Sequence, residues 1–259
     1  MKIIVCVKQV PDTETRIRIA PEGNGIVESD VNWVVSPYDE FAIEEALRIK
    51  EAKGGEVILV SLGSDRAQSA LRNGLAMGAD SAVHLKDPAF DATDTLGTAR
   101  ALAAAIKTLA PYDLVLAGQQ GVGGDHAQIP GLLAEMLDLP QVTMAVKIEL
   151  QEGKAAVKRE IEGAHEEWEA TLPAVISAQK GLNEPRYASL KGIMAAKKKP
   201  VDVKDAAALG LSASDLAPKT KVVSLELPPA RPPIKMIEGD AETQVEELLR
   251  LLHEEAKVI

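Results

Sequence analysis

Short apolar runs alternate with amphipathic stretches along the first 140 residues, and this alternation restricts the possible folds more than any other feature of the sequence. Four of the runs are rich in β-branched and aliphatic side chains and are bounded by polar residues or glycine, which predicts buried strands. They cover residues 3–7, 57–61, 82–85 and 113–117. Strands that alternate with helices form βαβ units, whose sheet is parallel and covered on both faces. We therefore expect a doubly wound, mostly parallel α/β fold.

Helical periodicity fills the segments between these strands. The first helix is predicted to begin at Ser36-Pro37, because proline suits the first helical turn and Asp39 favours the positive end of the helix dipole. A second helix is predicted over residues 64–77 and a third, rich in alanine, over residues 93–109.

The pattern changes after Pro140. Turns at Glu152-Gly153 and Glu162-Gly163 separate three further strands, which predicts antiparallel hairpins added to the parallel sheet. These strands cover residues 142–150, 155–160 and 166–170, and an apolar run over 174–178 is expected to return to the main sheet.

The sequence of the C-terminal part of the chain is not typical of a packed core. Residues 181–200 show little periodicity, and two proline pairs within 228–233 exclude a regular helix or a central strand there. An amphipathic helix is predicted over residues 241–256. We therefore divide the chain into an α/β domain over residues 1–200 and an extended arm over residues 201–259 that lies against another surface.

Charge and composition limit the function classes. Acidic residues outnumber basic ones by 39 to 29, whereas a general nucleic-acid binder carries a strongly basic face. No apolar run approaches the roughly 18 residues of a membrane span, and the N-terminal run is far shorter than a signal-peptide core. We expect a cytoplasmic protein that is not membrane-embedded. The single cysteine, Cys6, excludes a disulfide framework and is predicted to be buried.

The most informative junction lies in residues 114–128, where an apolar strand leads into a glycine-rich loop and then into a helix that we expect to begin near Asp125. Free N–H groups at the start of a helix bind anions, typically phosphate, and glycines let the backbone come close to the ligand. The spacing matches neither G-x-G-x-x-G nor the P-loop, which disfavours a dinucleotide dehydrogenase or a Walker-type nucleotidase. A flexible connector is the alternative interpretation.

Two other strand ends are expected at the same crevice, because ligands of open α/β sheets bind beyond the carboxyl ends of the strands. One strand ends after Cys6 and the other near Leu62. Together with the turn from Ser36 to Asp39, they offer backbone groups that can contact an adenine and a ribose.

No constellation of catalytic side chains is recognisable in the sequence. The four histidines are scattered without metal-ligand spacing, and no G-x-S-x-G motif is present. His126 is the one histidine of interest, since it lies at the predicted helix start beside the expected phosphate. Either a cofactor carries the chemistry, or the protein is not an enzyme.

A second candidate site lies in residues 182–199, which we call the docking segment. It places Tyr187, Leu190, Ile193 and Met194 within a frame of basic residues. The basic residues are Lys180, Arg186, Lys191, Lys197, Lys198 and Lys199. Apolar anchors ringed by charge suit a docking surface, since the charges steer the encounter and the anchors set the affinity. A solvated connector is the alternative interpretation.

Several motifs, found in the same order along nearly the whole chain, resemble those of the electron transfer flavoprotein beta subunit family. They are V-C-V-K-Q-V at 5–10, S-P-Y-D-E-F-A-I-E-E-A-L-R-I-K-E at 36–51, L-A-M-G-A-D at 75–80, V-L-A-G-Q-Q at 115–120 and L-N-E-P-R-Y-A-S-L at 182–190. The last of these motifs is highly specific for the family.

The resemblance implies an electron carrier that is not an enzyme, built as a heterodimer with an alpha subunit that holds most of a redox FAD. The beta subunit of such a carrier buries an adenine nucleotide, usually AMP, in a structural role. By position, the nucleotide contacts fall on Cys6, Ser36, Pro37, Tyr38, Asp39, Leu62, Gly118, Gln119, Gln120, Gly121, Val122, Gly123, Gly124, Asp125, His126, Ala127, Gln128 and Ile129.

The same resemblance implies that the docking segment binds partner dehydrogenases of the flavin-dependent, acyl-CoA type that serve fatty acid oxidation. By position, the docking contacts are Arg186, Tyr187, Leu190, Ile193 and Met194, with Leu190 as the anchor that enters a pocket on the partner. Electrons would then pass to a membrane quinone reductase, and the C-terminal arm would wrap the alpha subunit.

Two alternatives stay open. Some family members hold a second FAD in place of AMP and bifurcate electrons from NADH; their D-G-D-T-A-Q loop is similar to G-D-H-A-Q at residues 124–128. The docking segment, with its run of lysines, is instead typical of conventional members, which favours AMP. A stand-alone adenine-nucleotide-binding module is the other alternative, but it would need neither the docking segment nor the arm.

Overall fold

A nine-stranded sheet forms the centre of the computed structural model, which describes residues 1–259. The strands of the protein are β1 Lys2–Cys6, β2 Gln9–Pro11, β3 Trp33–Val35, β4 Glu56–Leu62, β5 Ser81–Leu85, β6 Leu114–Gly118, β7 Gln141–Gln151, β8 Lys154–Ile161, β9 Ala164–Thr171, β10 Ala174–Ala178 and β11 Val201–Lys204. The order across the sheet is β11-β5-β4-β1-β6-β10-β7-β8-β9, while β2 and β3 form a separate antiparallel pair.

The centre of the sheet is parallel. Strand β1 lies between β4 and β6, with Ile3 opposite both Val57 and Leu114. Strand β10 returns between β6 and β7 and runs parallel to both, whereas β8 and β9 add two antiparallel neighbours at one edge. The predicted α/β fold, mostly parallel with antiparallel additions, is confirmed.

Helices cover both faces of the sheet. They are α1 Pro37–Lys53, α2 Ala67–Met77, α3 Pro88–Asp91, α4 Thr95–Thr108, α5 Ile129–Leu137, α6 Leu190–Ala196, α7 Ala213–Leu216 and α8 Ala241–Arg250, with a 3-10 turn at Ala207–Leu209 and a π-helical turn at Leu251–Ala256. No helix combines the length and the apolar character that crossing a membrane requires.

Two apolar core layers lie on opposite faces of the sheet, because successive side chains of a strand point to opposite sides. Along β1, Ile3 and Val5 join the layer under α1 and α2, whereas Ile4 and Cys6 join the layer under α4 and α5. The first strand therefore has no polar face, which explains its continuous apolar run.

The helix expected to begin near Asp125 begins instead at Ile129, so that expectation is wrong. Asp125 and Ala127 adopt left-handed backbone conformations, with φ of 50° and 52°, and these are incompatible with a right-handed helix. Pro130 lies in the first helical turn, which suits a helix that starts at this point. Residues 118–128, which we call the glycine loop, therefore form a longer connection than the sequence predicted.

Two elements near residue 200 were not predicted. Helix α6 falls within the stretch of low periodicity and is capped by the Ser189 hydroxyl, which accepts a hydrogen bond from the Gly192 N–H at 3.0 Å. Strand β11 pairs in parallel with β5, so the sheet continues into the first residues of the segment assigned to the arm.

The rest of that segment carries many exposed apolar side chains. Residues 218–238 contain no helix or strand, and Val223, Ile234 and Met236 are each more than three-quarters exposed. The predicted C-terminal helix is present as α8 and the π-helical turn. Val245, Leu248 and Leu249 lie exposed along α8.

Candidate functional site

A buried carboxylate joins the ends of two central strands at the carboxyl edge of the sheet. Asp39, in the first turn of α1, accepts hydrogen bonds from the Lys8 N–H at 2.7 Å and from the Gly118 N–H at 2.9 Å. The first donor follows β1 and the second ends β6. The structure thus brings together three segments that the sequence placed at one crevice, and Asp39 links them.

Gly118 is required by the close approach of α1. A Cβ at this position would lie 2.5 Å from Asp39 Oδ1 and 2.7 Å from the Tyr38 carbonyl carbon. Beside it, the buried Ser36 hydroxyl donates to the Gln120 carbonyl oxygen at 3.4 Å. Any side chain at residue 118 would push the start of α1 away from the end of β6.

Burial raises the pKa of Asp39 to about 7, even though the Lys8 and Gly118 N–H groups favour its ionised form. The ordinary value is 3.8. Between these two pH values the folded state holds a proton that the unfolded state releases. Asp39 therefore contributes stability that is lost as the pH rises from 3.8 to about 7.

This linkage predicts a difference between the wild-type protein and an Asp39→Asn variant, whose amide does not titrate. The free energy of unfolding of the wild type, minus that of the variant, should fall as the pH rises toward 7 and then level off. Denaturant unfolding at a series of pH values measures both quantities. A constant difference between pH 4 and pH 8 would contradict the assignment.

The base of the glycine loop is fixed to the sheet by Gln119. Its carboxamide oxygen accepts from the Ser177 hydroxyl at 2.8 Å and from the Met144 N–H at 3.2 Å, and its own N–H donates to the Ala178 carbonyl at 2.9 Å. The Gln119 side chain thus connects β6 to β10 and β7 and is already engaged within the protein.

The outer part of the glycine loop offers free N–H groups. Gly124 and Asp125 donate to the Gly121 carbonyl, and the Gln120 side chain donates to the Asp125 carboxylate at 2.9 Å. The N–H groups of residues 126–129 have no acceptor within the protein. They lie directly before α5 and at its first residue, and free N–H groups at a helix start attract anions.

His126 and Val122 lie in this outer part of the loop. His126 is exposed, and its Nδ1 lies 3.4 Å from the Thr95 hydroxyl at the start of α4. Val122 and the neighbouring Gly121 are half-buried, whereas residues 123–128 are exposed. The loop therefore presents its amides at the surface, beside the first turns of α4 and α5.

A cation that the sequence analysis did not single out lies over the glycine loop. Lys8 is exposed, and its ammonium group would lie 2.9 Å from a Cβ on Gly121 and 3.9 Å from a Cβ on Gly124. A lysine directly after a strand is too common to be noticed in a sequence. Only the fold brings this ammonium group beside the free amides.

Three apolar residues, which we call the apolar floor, lie at the ends of β1 and β4 and at the start of α5. Cys6, Leu62 and Ile129 all pack into the core layer under α4 and α5. Burial, with the nearby Asp39 carboxylate, raises the pKa of the Cys6 thiol to about 12, so the thiol is uncharged near neutral pH. Apolar walls with a few convergent polar groups are typical of a small-molecule site. No group of three or more potential metal-ligating side chains occurs in the protein.

The docking segment presents its apolar side chains to solvent. Tyr187 is 98% exposed and Leu190 is 79% exposed, and Ile193 and Met194 are also exposed on α6. Arg186 differs from them, because its guanidinium group forms ion pairs with Glu44 at 2.8 Å and with Glu51 at 2.5 Å.

The basic residues around the docking segment divide into two groups. Arg186 and Lys199 are engaged with α1 and α2. Lys180, Lys191, Lys197 and Lys198 are exposed and form no ion pair. Only this second group has no ion-pair partner or hydrogen-bond acceptor for its side chains within the protein.

Comparison with known proteins identifies the family. The electron transfer flavoprotein domain matches residues 23–209. The chain belongs to the electron transfer flavoprotein family. The predicted resemblance is confirmed, and with it the prediction that the chain is part of an electron carrier rather than an enzyme.

Relatives within the electron transfer flavoprotein family align over nearly their full length. The electron transfer flavoprotein subunit beta of Bacillus subtilis is 40% identical over 260 residues, which covers all of both chains. That of Sus scrofa is 43% identical over 234 residues, covering 89% of this chain and 90% of the relative. The caffeyl-CoA reductase-Etf complex subunit CarD of Acetobacterium woodii is 40% identical over 249 residues, or 95% of each chain.

Proposed function

We propose that this chain is the beta subunit of a heterodimeric electron transfer flavoprotein. The observation that carries the proposal is the full-length similarity to relatives named electron transfer flavoprotein subunit beta. The chain would contribute a scaffold, a nucleotide site and a docking surface, while an alpha subunit holds most of a shared FAD. When bound, that FAD accepts electrons and passes them on.

The alpha subunit is proposed to cover the C-terminal arm. Large exposed apolar areas on a soluble protein mark interaction surfaces, and the arm exposes Val223, Ile234 and Met236 together with the apolar side of α8. The apolar side of α8 adjoins Met236 and Ile237 of the same arm, but Val245, Leu248 and Leu249 stay about half exposed. An alpha subunit that packs against the arm would bury both the apolar side of α8 and the extended residues 218–238.

An adenine nucleotide, AMP, is proposed to occupy the crevice in a structural role. The free amides of residues 126–129 and the Lys8 ammonium group suit its phosphate. The apolar floor of Cys6, Leu62 and Ile129 suits the adenine ring. The residues present therefore fit the nucleotide, with positive groups at one end and an apolar surface at the other.

Replacement of Lys8 by glutamine is expected to weaken AMP binding roughly tenfold, because a charge-assisted contact to the phosphate is lost. Calorimetric titration of AMP into nucleotide-free heterodimer measures the dissociation constant. Lys107→Gln serves as the control, since Lys107 is exposed on α4 and forms no ion pair. Equal affinities in the two variants would remove Lys8 from the proposed site.

The docking segment is proposed to bind flavin-dependent dehydrogenases of the acyl-CoA type. Its exposed apolar side chains suit a pocket on the partner, and the four exposed lysines in and beside it suit an acidic rim. The reduced carrier would then deliver its electrons to a quinone reductase. This chain positions the partner and supplies no catalytic residue to the transfer.

A second candidate function is electron bifurcation, with a second FAD in the crevice and NADH as electron donor. The G-D-H-A-Q sequence at residues 124–128 favours it, since it is similar to the loop of bifurcating members. The outer glycine loop is exposed and open, which leaves room for a larger nucleotide. Rapid reduction by NADH, with two FAD per heterodimer, would establish this alternative.

Coexpression with an alpha subunit from the same genome tests the proposed assembly. We expect a stable one-to-one heterodimer in size-exclusion chromatography, with a bound-flavin absorption spectrum. The chain expressed alone is expected to aggregate through its apolar arm. A stable monomer that does not bind the alpha subunit would contradict the proposal and favour a stand-alone nucleotide-binding module.

A further inference from the structure

We infer that the docking segment is a pre-organised surface held at both ends by helices α1 and α2, with Glu44 and Arg72 as its positioning residues. The inference rests on the proposed docking function and adds to it the residues that fix the geometry of the contact. Neither residue lies in the docking segment; Glu44 is buried and Arg72 is half-buried.

Glu44 holds the first half of the docking segment. Only 4% of its side chain is exposed, and its two carboxylate oxygens accept from the Arg186 side chain at 2.8 and 3.1 Å and from the Arg186 backbone N–H at 3.2 Å. Arg48, one helical turn further along α1, donates to the same carboxylate at 2.8 Å. Burial opposes ionisation of Glu44, but these hydrogen bonds together lower its pKa.

Two further contacts tie the same stretch of chain to α1. The Asn183 carboxamide donates to the Phe41 carbonyl and to the Glu45 carboxylate, each at 3.0 Å. The second ion pair of Arg186, with Glu51, extends the contact along α1 to its last turns. The backbone that leads to Tyr187 and Leu190 is therefore fixed along the length of one helix.

Arg72 of α2 holds the other end. Its guanidinium group donates to the Ala196 carbonyl at 2.6 Å and to the Lys199 carbonyl at 2.8 Å, at the end of α6. In return, the Lys199 ammonium group donates to the Leu75 and Ala79 carbonyls at 2.9 and 2.5 Å. Helix α6 packs so closely on α2 that a Cβ on Gly192 would collide with the Ala76 carbonyl oxygen.

This arrangement separates two kinds of residue in the docking segment. Arg186, Lys199 and Gly192 face the protein and fix the backbone, whereas Tyr187 and Leu190 face solvent. A partner that binds a fixed surface does not have to order the backbone first, and ordering lowers affinity. Loss of the contacts at one end should therefore weaken docking without altering the transfer of electrons once the partner is bound.

The test measures reduction of the intact heterodimer by an acyl-CoA dehydrogenase. Glu44→Gln is expected to raise the KM for the carrier roughly tenfold while kcat and FAD content stay unchanged. Arg186→Gln removes the ion pair with Glu44 from the other side, together with the pair to Glu51, and keeps the test valid if the first variant fails to fold. The KM of the double variant should be no higher than that of the more affected single variant, because both substitutions act through the contact between Glu44 and Arg186.

Amide hydrogen exchange measures whether the backbone of the docking segment is less fixed in the variants, and Glu135→Gln is the matched control. The amides of residues 183–192 should exchange faster in Glu44→Gln, whereas Glu135→Gln, at an exposed position on α5, should change neither exchange nor KM. An unchanged KM in both Glu44→Gln and Arg186→Gln would overturn the inference. An unchanged KM in a Leu190→Ala variant would instead overturn the docking function itself, so the two failures are distinguishable.

Discussion

Replacement of Asp39 by alanine is expected to lower the free energy of unfolding by about 2 kcal/mol and to leave the purified protein without bound nucleotide. The change removes the acceptor shared by the Lys8 and Gly118 N–H groups. Those groups lie where the partly buried ends of β1 and β6 meet α1, so no other acceptor replaces the carboxylate. The three segments that form the crevice would then lose the one carboxylate that links them all.

Denaturant unfolding and analysis of the released small molecules measure the two effects of the alanine variant. Asp91→Ala is the matched control, since Asp91 is exposed in α3 and accepts no hydrogen bond from a side chain or loop amide. Its free energy of unfolding should change by no more than about 0.5 kcal/mol. An Asp39→Ala protein with wild-type stability and a full complement of nucleotide would show that the crevice does not depend on this carboxylate.

Replacement of Leu190 by alanine is expected to slow reduction of the carrier by its dehydrogenase about 30-fold at subsaturating concentrations. Leu190 is 79% exposed at the start of α6, and a central anchor of an interface contributes about 2 kcal/mol or more. Stopped-flow absorbance of the flavin measures the rate. The FAD content should stay unchanged, because Leu190 packs against nothing in the crevice.

Val203→Ala is the control for this truncation. Val203 is 55% exposed on edge strand β11, outside the docking segment, and its replacement also truncates an exposed aliphatic side chain. The rate of reduction should match that of the wild type. If the dehydrogenase reduces the Leu190→Ala and Val203→Ala carriers at the same rate, α6 is not the docking surface.

The parallel sheet could be predicted because its strands are buried on both faces. Ile3, Ile4 and Val5 are all fully buried, so the strand appears in the sequence as a continuous apolar run. The hairpins after residue 140 could be predicted equally well, because Gly153 and Gly163 occupy the turns, where the backbone adopts positive φ. Strand β11 was missed because its apolar alternation, V-D-V-K, covers only four residues, and because it lies at an edge of the sheet where none of its side chains is fully buried.

The candidate site was only partly predictable. The glycine loop and the first turn of α1 were found from local signals, namely glycines after a strand and proline at a helix start. The roles of Asp39 and Lys8 depend on contacts between distant segments, which no local pattern encodes. The role of Arg186 could not be predicted for the same reason. Its neighbours in the sequence suggest a docking charge, whereas its ion-pair partners lie on α1.

Mass spectrometry of the small molecules released from denatured heterodimer determines whether the crevice between the glycine loop and α1 holds an adenine nucleotide. Quantification against isotope-labelled standards gives the amount of each nucleotide per heterodimer. We expect AMP and FAD in equal amounts. One FAD per heterodimer, with neither AMP nor a second FAD, would show that the crevice holds no adenine nucleotide.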